Sequence, residues 1–437
     1  MALGGMELAE LDLTHHPVLL KQVRIIDATE SDLSDRFADV LISTDDVMHV
    51  GVQDADLPAD ARILDRSGLV LGTGLVDLYS TSGEPGFERR ETIASLTKAA
   101  QCGGFSRVGI LPHTKPAIDN LTALEFWSRH DRARSPHHPQ LMPWGAITLD
   151  CAGNQLTDLA EMAEAVIGFT DAKPLPNLML VRRAMEYIKP LGKPLMLWAY
   201  DPNLAGSGVM REGKRSLQYG LTGSSATAET AALAALIELV ALIGTPTHFM
   251  RISTARSVEL IAQAKSQGLP ITASVAWMHL WLTDKDLHTY DPSLHLKPPL
   301  GSDTDRDALI AAVKSGIIDA IAVDHAPYTY EEKTVAFEVS PTGAIGLEFA
   351  LPVLWQELVE TGLLSGLELW RSLSSGAARC LGIDTKEESL PLATLFDPSL
   401  SWTVTSEAIA SLAQNTPCLG KSIVGKVIPI ANLSSSA

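Results

Sequence analysis

The chain has 437 residues, more than one compact core usually holds, so a large domain with a smaller companion is expected. Hydrophobic residues make up 46% and charged residues 20%, an ordinary globular balance that excludes a disordered chain. A formal net charge of -18 argues against nonspecific binding to nucleic acid or anionic lipid.

The start, MALGGMELAELDLTHH, is acidic and lacks a long apolar run after a basic segment, so no signal peptide is expected. The region up to residue 74 then reads as short strands. Val18–Ile26 and Ala38–Ile42 are β-rich runs, and Thr44–Asp46 supplies a turn. From Leu75 the pattern changes to strands alternating with helices. Arg107–Leu111 follows a helical stretch from Glu91 to Gln101, and Leu195–Trp198 follows Leu180 to Leu191. Thr247–Ile252 follows Ala226 to Ile243, Ile271–Val275 follows Val258 to Gln267, and Ile318–Val323 follows Arg306 to Ser315. Such repetition over roughly 300 residues predicts an α/β fold with a closed parallel barrel, the TIM (β/α)8 type.

From Ile383 strands return, at Leu395–Pro398 and Ser422–Val427, and Ser434–Ala437 should fray. The expected organisation is therefore 1–74 and 383–437 as two parts of one small β domain, with the barrel over 75–382. Cys102, Cys151, Cys380 and Cys418 form no CxxC pair. That pattern fits neither a disulfide framework nor a zinc knuckle, and it suits the cytoplasm. The Asn120 and Asn432 sequons are read as chance, and no apolar run reaches the roughly 18 residues of a membrane span. Gly420-Lys-Ser422 looks like the end of a P-loop, but Asn415 stands where that loop needs glycine, so a phosphate cradle is rejected.

An ordered series of short segments carries the functional reading. It runs Gly74-Leu-Val-Asp77, Glu84-Pro-Gly-Phe87, Glu91-Thr92, Gly103-Gly-Phe105 and Leu111-Pro-His-Thr-Lys-Pro116. Ile252-Ser-Thr-Ala255, Ser257-Val-Glu-Leu260, Lys297-Pro-Pro-Leu300, Asp324-His-Ala-Pro327 and Glu331-Glu-Lys333 follow. Gly346-Leu-Glu348 and Asn415-Thr-Pro417 with Gly420 complete it. Each segment is weak alone, but the series, from about residue 18 to 428, resembles the dihydroorotase branch of the amidohydrolase superfamily.

The resemblance implies a zinc centre that opens or closes cyclic amides, and it also shows where this chain departs. Two histidines on the family's first strand, spaced i and i+2 so that both face one metal, are Tyr79 and Thr81 here. The fourth-strand ligand matches Asp171. The fifth- and sixth-strand histidines are Trp198 and Arg251, and the eighth-strand aspartate, the family's general base, is Asp324. An indole nitrogen only donates, a phenol ionises near pH 10, and a guanidinium stays protonated, so these are poor zinc ligands. Substrate-holding positions are altered too. The arginine that grips the substrate carboxylate is Gly83, the two asparagines are His113 and Lys297, and the second histidine of the Asp-His-Ala-Pro-His motif is Tyr328.

These departures resemble inactive (pseudo) dihydroorotases and imply a non-catalytic structural or regulatory protein in de novo pyrimidine biosynthesis. No cofactor is then expected. By resemblance alone the partner is aspartate carbamoyltransferase, with self-association as a homo-oligomer; neither nucleic acid nor membrane is expected. Two alternatives stand: an active dihydroorotase or other cyclic amidohydrolase with an atypical zinc site, and a metal-free sensor of an anionic ligand held by Arg251 and Lys297. His113, His279, His325, Cys102 and Tyr328 are candidates for a relocated site. Asp171 and Asp324 would face each other without a metal, and Arg251, between them in barrel order, would replace the lost cation by pairing with one or both. A glycine- and serine-rich stretch, 206–225, with Arg211, Lys214 and Arg215, is a candidate docking loop.

Overall fold

A computed structural model describes residues 11–12, 17–28, 34–42, 48–51, 57–58, 60–65, 68–134, 138–383, 392–428 and 430–431. The Thr44–Asp46 turn, the Asn432 sequon and the Ser434–Ala437 end lie outside these residues. The fold is a TIM barrel with an additional β domain.

One barrel wall is a parallel sheet of Leu75–Ser80, Phe105–Ile110 and Gln140–Pro143. The other joins Leu195–Trp198, Thr247–Met250, Ile271–Ala276 and Ala320–Ala322, also parallel. Phe169 closes one seam as a single-residue bridge, pairing with Gly145 on one side and Leu195 on the other. A side chain closes the other seam: Val323 N–H donates to Asp77 Oδ1 at 2.7 Å, and Thr81 N–H reaches the His325 carbonyl at 2.8 Å. These strands are nearly continuous buried apolar runs, as expected where both faces of a parallel sheet are covered.

Helix starts differ from the periodicity reading for a local reason. Asp303–Ser315 begins three residues before Arg306 because Ser302 caps it in a capping box with Asp305, and its polar first turn carries no apolar rhythm. The helix expected from Glu91 begins at Ile93, with Thr92 as the cap. Glu91 lies outside it, fully buried, and accepts from Ser95 Oγ, Ser411 Oγ and, at 3.0 Å, Leu412 N–H. Two segments far apart in the chain thus meet on one carboxylate.

The second sheet draws on both chain ends. Its order is Ser422–Ile428, Leu392–Thr403, Val70–Thr73, Val18–Asp27, Ser34–Ile42 and Met48–Val50, with Arg62–Asp65 also pairing to Val18–Asp27. Leu11–Asp12 pairs in parallel with Ile430–Ala431. Among the described residues no helix is long and apolar enough to cross a membrane.

Candidate functional site

In this barrel type the functional face lies at the C-terminal strand ends. Tyr79 lies at the end of the strand Leu75–Ser80 and Thr81 directly follows it, Trp198 ends Leu195–Trp198, Arg251 follows Thr247–Met250, and Asp324 stands two residues past Ala320–Ala322. Asp171 follows the Phe169 bridge. Arg251, Asp324 and Ala172 take left-handed backbones, with φ of 58°, 53° and 46°. Such strain in residues with a Cβ persists only where the surroundings enforce it, and it gathers at functional sites.

Arg251 grips Asp324 with both prongs of its guanidinium. Nε donates to Oδ2 and Nη2 to Oδ1, each at 2.7 Å. Nη1 donates to the Ala172 carbonyl at 3.3 Å. The guanidinium lies 4.8 Å from the Trp198 ring centre and 5.7 Å from that of Tyr79, within cation–π range. Burial works against the Arg251 charge, but Asp324 more than offsets it and holds its pKa above the ordinary arginine value. Of the two carboxylates, only Asp324 is paired with Arg251. Asp171 turns to Thr148, accepting from its backbone N–H at 3.0 Å and its hydroxyl at 2.5 Å, and burial raises its pKa.

Apart from the exposed Lys297, the other positions described are absorbed into packing. Tyr79 is fully buried; its hydroxyl accepts from Arg251 N–H at 3.1 Å and contacts Ser274 Oγ at 3.2 Å, and burial raises its pKa. His113 Nε2 lies 2.5 Å from the Asp171 carbonyl. A Cβ built on Gly83 would fall 2.3 Å from the Glu91 carbonyl oxygen and 2.7 Å from that of Phe87, so no larger residue fits the present backbone. Tyr328 lies under the Arg90 and Lys333 cations. Lys297 is exposed over the Tyr200 ring.

Some candidates are corrected. Cys102 ends the helix Ile93–Cys102 that leads into the N-terminal end of Phe105–Ile110, which is the face opposite the mouth. His325 turns from the mouth toward Glu91, with Nε2 at 3.4 Å from Oε2. Of the three basic residues in the candidate docking loop, Arg211 is buried, Arg215 is held by Asp284 and Asp303, and Lys214 is exposed. Among the described residues no three His, Cys, Asp or Glu side chains converge as a metal-binding group. The motif series contains Asp77 but gave it no role, because seam closing has no local signature; burial pushes its pKa up to about 7.

Titration of these groups sets an expected pH profile. Burial lowers His113 and His279 to about 4 and His248 to about 3. Each adds stability that is present above its unfolded pKa near 6.5 and lost as pH falls through the folded value. Asp77 and Glu348, both raised to about 7 by burial, act oppositely: their stability is present below about pH 4 and lost as pH rises through 7. Three histidines outweigh two carboxyls over their shared window, so thermal melts should show a maximum near pH 6.5 and a decline toward about pH 4. A melting temperature that climbs steadily with acid would contradict this balance.

Comparison with known proteins agrees with the motif series. A sequence model of the family described as "Dihydro-orotase-like" matches residues 68–257. A "probable dihydroorotase-like protein" of Synechocystis sp. is 44% identical over 400 residues, covering 85% of this chain and 90% of the relative. The chain belongs to the dihydroorotase-like family. A protein named dihydroorotase from Pelotomaculum thermopropionicum is 38% identical over 372 residues, covering 84% of this chain and 86% of its own length. The fold alone is shared with L-hydantoinase (dihydropyrimidinase) from Arthrobacter aurescens, at a TM-score of 0.77 and 20% identity, over 94% of this chain and 93% of that one.

Proposed function

We propose that this dihydroorotase-like chain is metal-free and non-catalytic, and serves a structural or regulatory role in de novo pyrimidine biosynthesis. The observation that carries the reading is the bidentate Arg251–Asp324 pair. A zinc ion on Asp324 would have to displace a guanidinium that already uses both carboxylate oxygens, and the fixed positive charge would repel it. The remaining donors do not fit zinc. Tyr79 holds its proton more tightly than a free phenol, Trp198 offers only a donor, and Asp171 is engaged by Thr148. The substrate grip is changed as well, since Gly83 has no room for a longer side chain. Aspartate carbamoyltransferase is the proposed partner, and self-association of the chain is proposed alongside it.

A second reading, an active cyclic amide hydrolase using zinc, draws on the 38% identity to a protein named dihydroorotase and on the retained Asp171 and Asp324. An assay of the purified chain with added zinc, following interconversion of carbamoyl aspartate and dihydroorotate, separates the two. No turnover above a metal-free control is expected. Turnover that rises with zinc and disappears in Asp324→Ala would overturn the non-catalytic reading.

A further inference from the structure

The helix Thr227–Ile243 is too apolar for its place on the outside of the barrel. Of its 17 residues only Glu229 and Glu238 are charged. Glu229 is buried and accepts from the backbone N–H and the hydroxyl of Ser253, so Glu238 alone charges the outer side. A helix that is apolar all round belongs inside a protein, whereas the outer face of a surface helix is ordinarily polar. Yet Ala231, Ala241 and Leu242 are exposed, Leu242 by 68%. The neighbouring helix Leu178–Ile188 adds Leu178, Met179 and Tyr187, which are 44%, 56% and 65% exposed. Exposed apolar surface gathered in one patch marks an interaction site.

The two helices run side by side in the same direction. At one end Leu178 and Val181 share a hollow of about 210 Å³ with Ala231 and Ala235. At the other, Lys189 Nζ donates to the Ile243 carbonyl at 2.6 Å, and Thr245 Oγ1 donates to that of Met185 at 2.8 Å. This tie sets the heights of the residues between. Arg183 stands six residues before Lys189 and Glu238 five before Ile243, roughly 9 and 7.5 Å along their helices at about 1.5 Å per residue. Tyr187 and Leu242 stand two residues and one residue before the same tie. The members of each pair are therefore nearly level.

Arg182 is held by Glu186 of its own helix at 2.9 Å, but Arg183 and Glu238, both exposed, have no ion pair among the described residues. The face thus carries one unpaired cation and one unpaired anion at matched heights on adjacent helices. An acidic or a basic partner would leave one of the two unmatched. A second copy of the chain matches both, because in a twofold contact residue i meets j and j meets i. A twofold axis along the helices lays Leu178–Ile188 of each copy on Thr227–Ile243 of the other. Arg183 then meets Glu238, and Tyr187 meets Leu242, twice in each dimer. We propose that this face is the interface of a twofold dimer of the chain. The inference rests on the self-association proposed above and names its surface; it does not depend on the metal-free reading.

Sedimentation of the full chain over about a hundredfold range of concentration tests it, since a dimer governed by mass action dissociates on dilution. A reversible dimer is expected. Leu242→Glu, at an exposed position, should leave the melting temperature of the monomer unchanged and weaken the dimer at least about tenfold. Arg183→Glu and Glu238→Arg should each weaken it about tenfold by setting like charges opposite one another twice, and the double variant should regain native affinity. Such a rescue requires the two residues to meet across the contact. A dimer indifferent to Leu242→Glu, or charge variants without rescue, would overturn this interface and leave self-association standing. A native chain that is monomeric throughout would overturn both. If Leu242→Glu then abolished binding of aspartate carbamoyltransferase, the face would belong to that partner instead.

Discussion

Arg251→Ala is expected to lower the unfolding free energy by about 3 to 5 kcal/mol, the usual result of removing one partner from a mostly buried ion pair. The loss exceeds that of a surface salt bridge because Asp324 is largely buried and, among the described residues, pairs only with Arg251. Both side chains are less than a quarter exposed. Two further losses add to it: the guanidinium's contacts with the Trp198 and Tyr79 rings, and its Nη1 bond to Ala172. Removing the carboxylate as well should recover much of the loss, since the double variant Arg251→Ala, Asp324→Ala leaves no unpaired charge. Urea unfolding of the two single variants and the double variant reads this directly. Costs that simply add, or an Arg251→Ala variant within about 0.5 kcal/mol of the native chain, would show that the pair is not coupled.

Placing histidine at Tyr79, Thr81, Trp198 and Arg251 together is expected to raise zinc affinity above that of the native chain. The four positions surround the mouth at strand ends, and Asp324 is released once Arg251 is gone. The substitutions carry a cost without metal. Trp198 is buried, and shrinking such a side chain removes about 3 to 5 kcal/mol. Zinc should return part of it, because a ligand at 100 times its Kd stabilises by about 2.7 kcal/mol. A zinc-dependent rise of several degrees in Tm is the expected signature. Dihydroorotase turnover should remain low, because Gly83 still cannot take an arginine beside the Glu91 backbone.

The fold was legible because the barrel strands are apolar runs that recur at regular intervals, and the motif series gave the family. Boundaries were less legible where polar caps intervene: Ser302 and Thr92 start helices at points that apolar rhythm does not mark. That Arg251 would pair with one or both carboxylates of the mouth followed from the like charges of Asp171 and Asp324 and from its place between them in barrel order. Which carboxylate took it did not, since the choice depends on Thr148 satisfying Asp171 through contacts 23 residues apart. The seam role of Asp77 and the inward turn of Arg211 were hidden for the same reason. Each depends on a partner far along the chain, Val323 for Asp77 and Ser253 and Pro299 for Arg211.

The central claim is that a guanidinium holds the place of a metal, and the most direct test is zinc itself. Crystals of the native chain grown with zinc, measured across the zinc absorption edge, would show both the metal and Arg251. The account predicts no anomalous peak near Asp324 and Arg251 still on both of its carboxylate oxygens. A peak at coordination distance from Asp324, with Arg251 swung away, would contradict it.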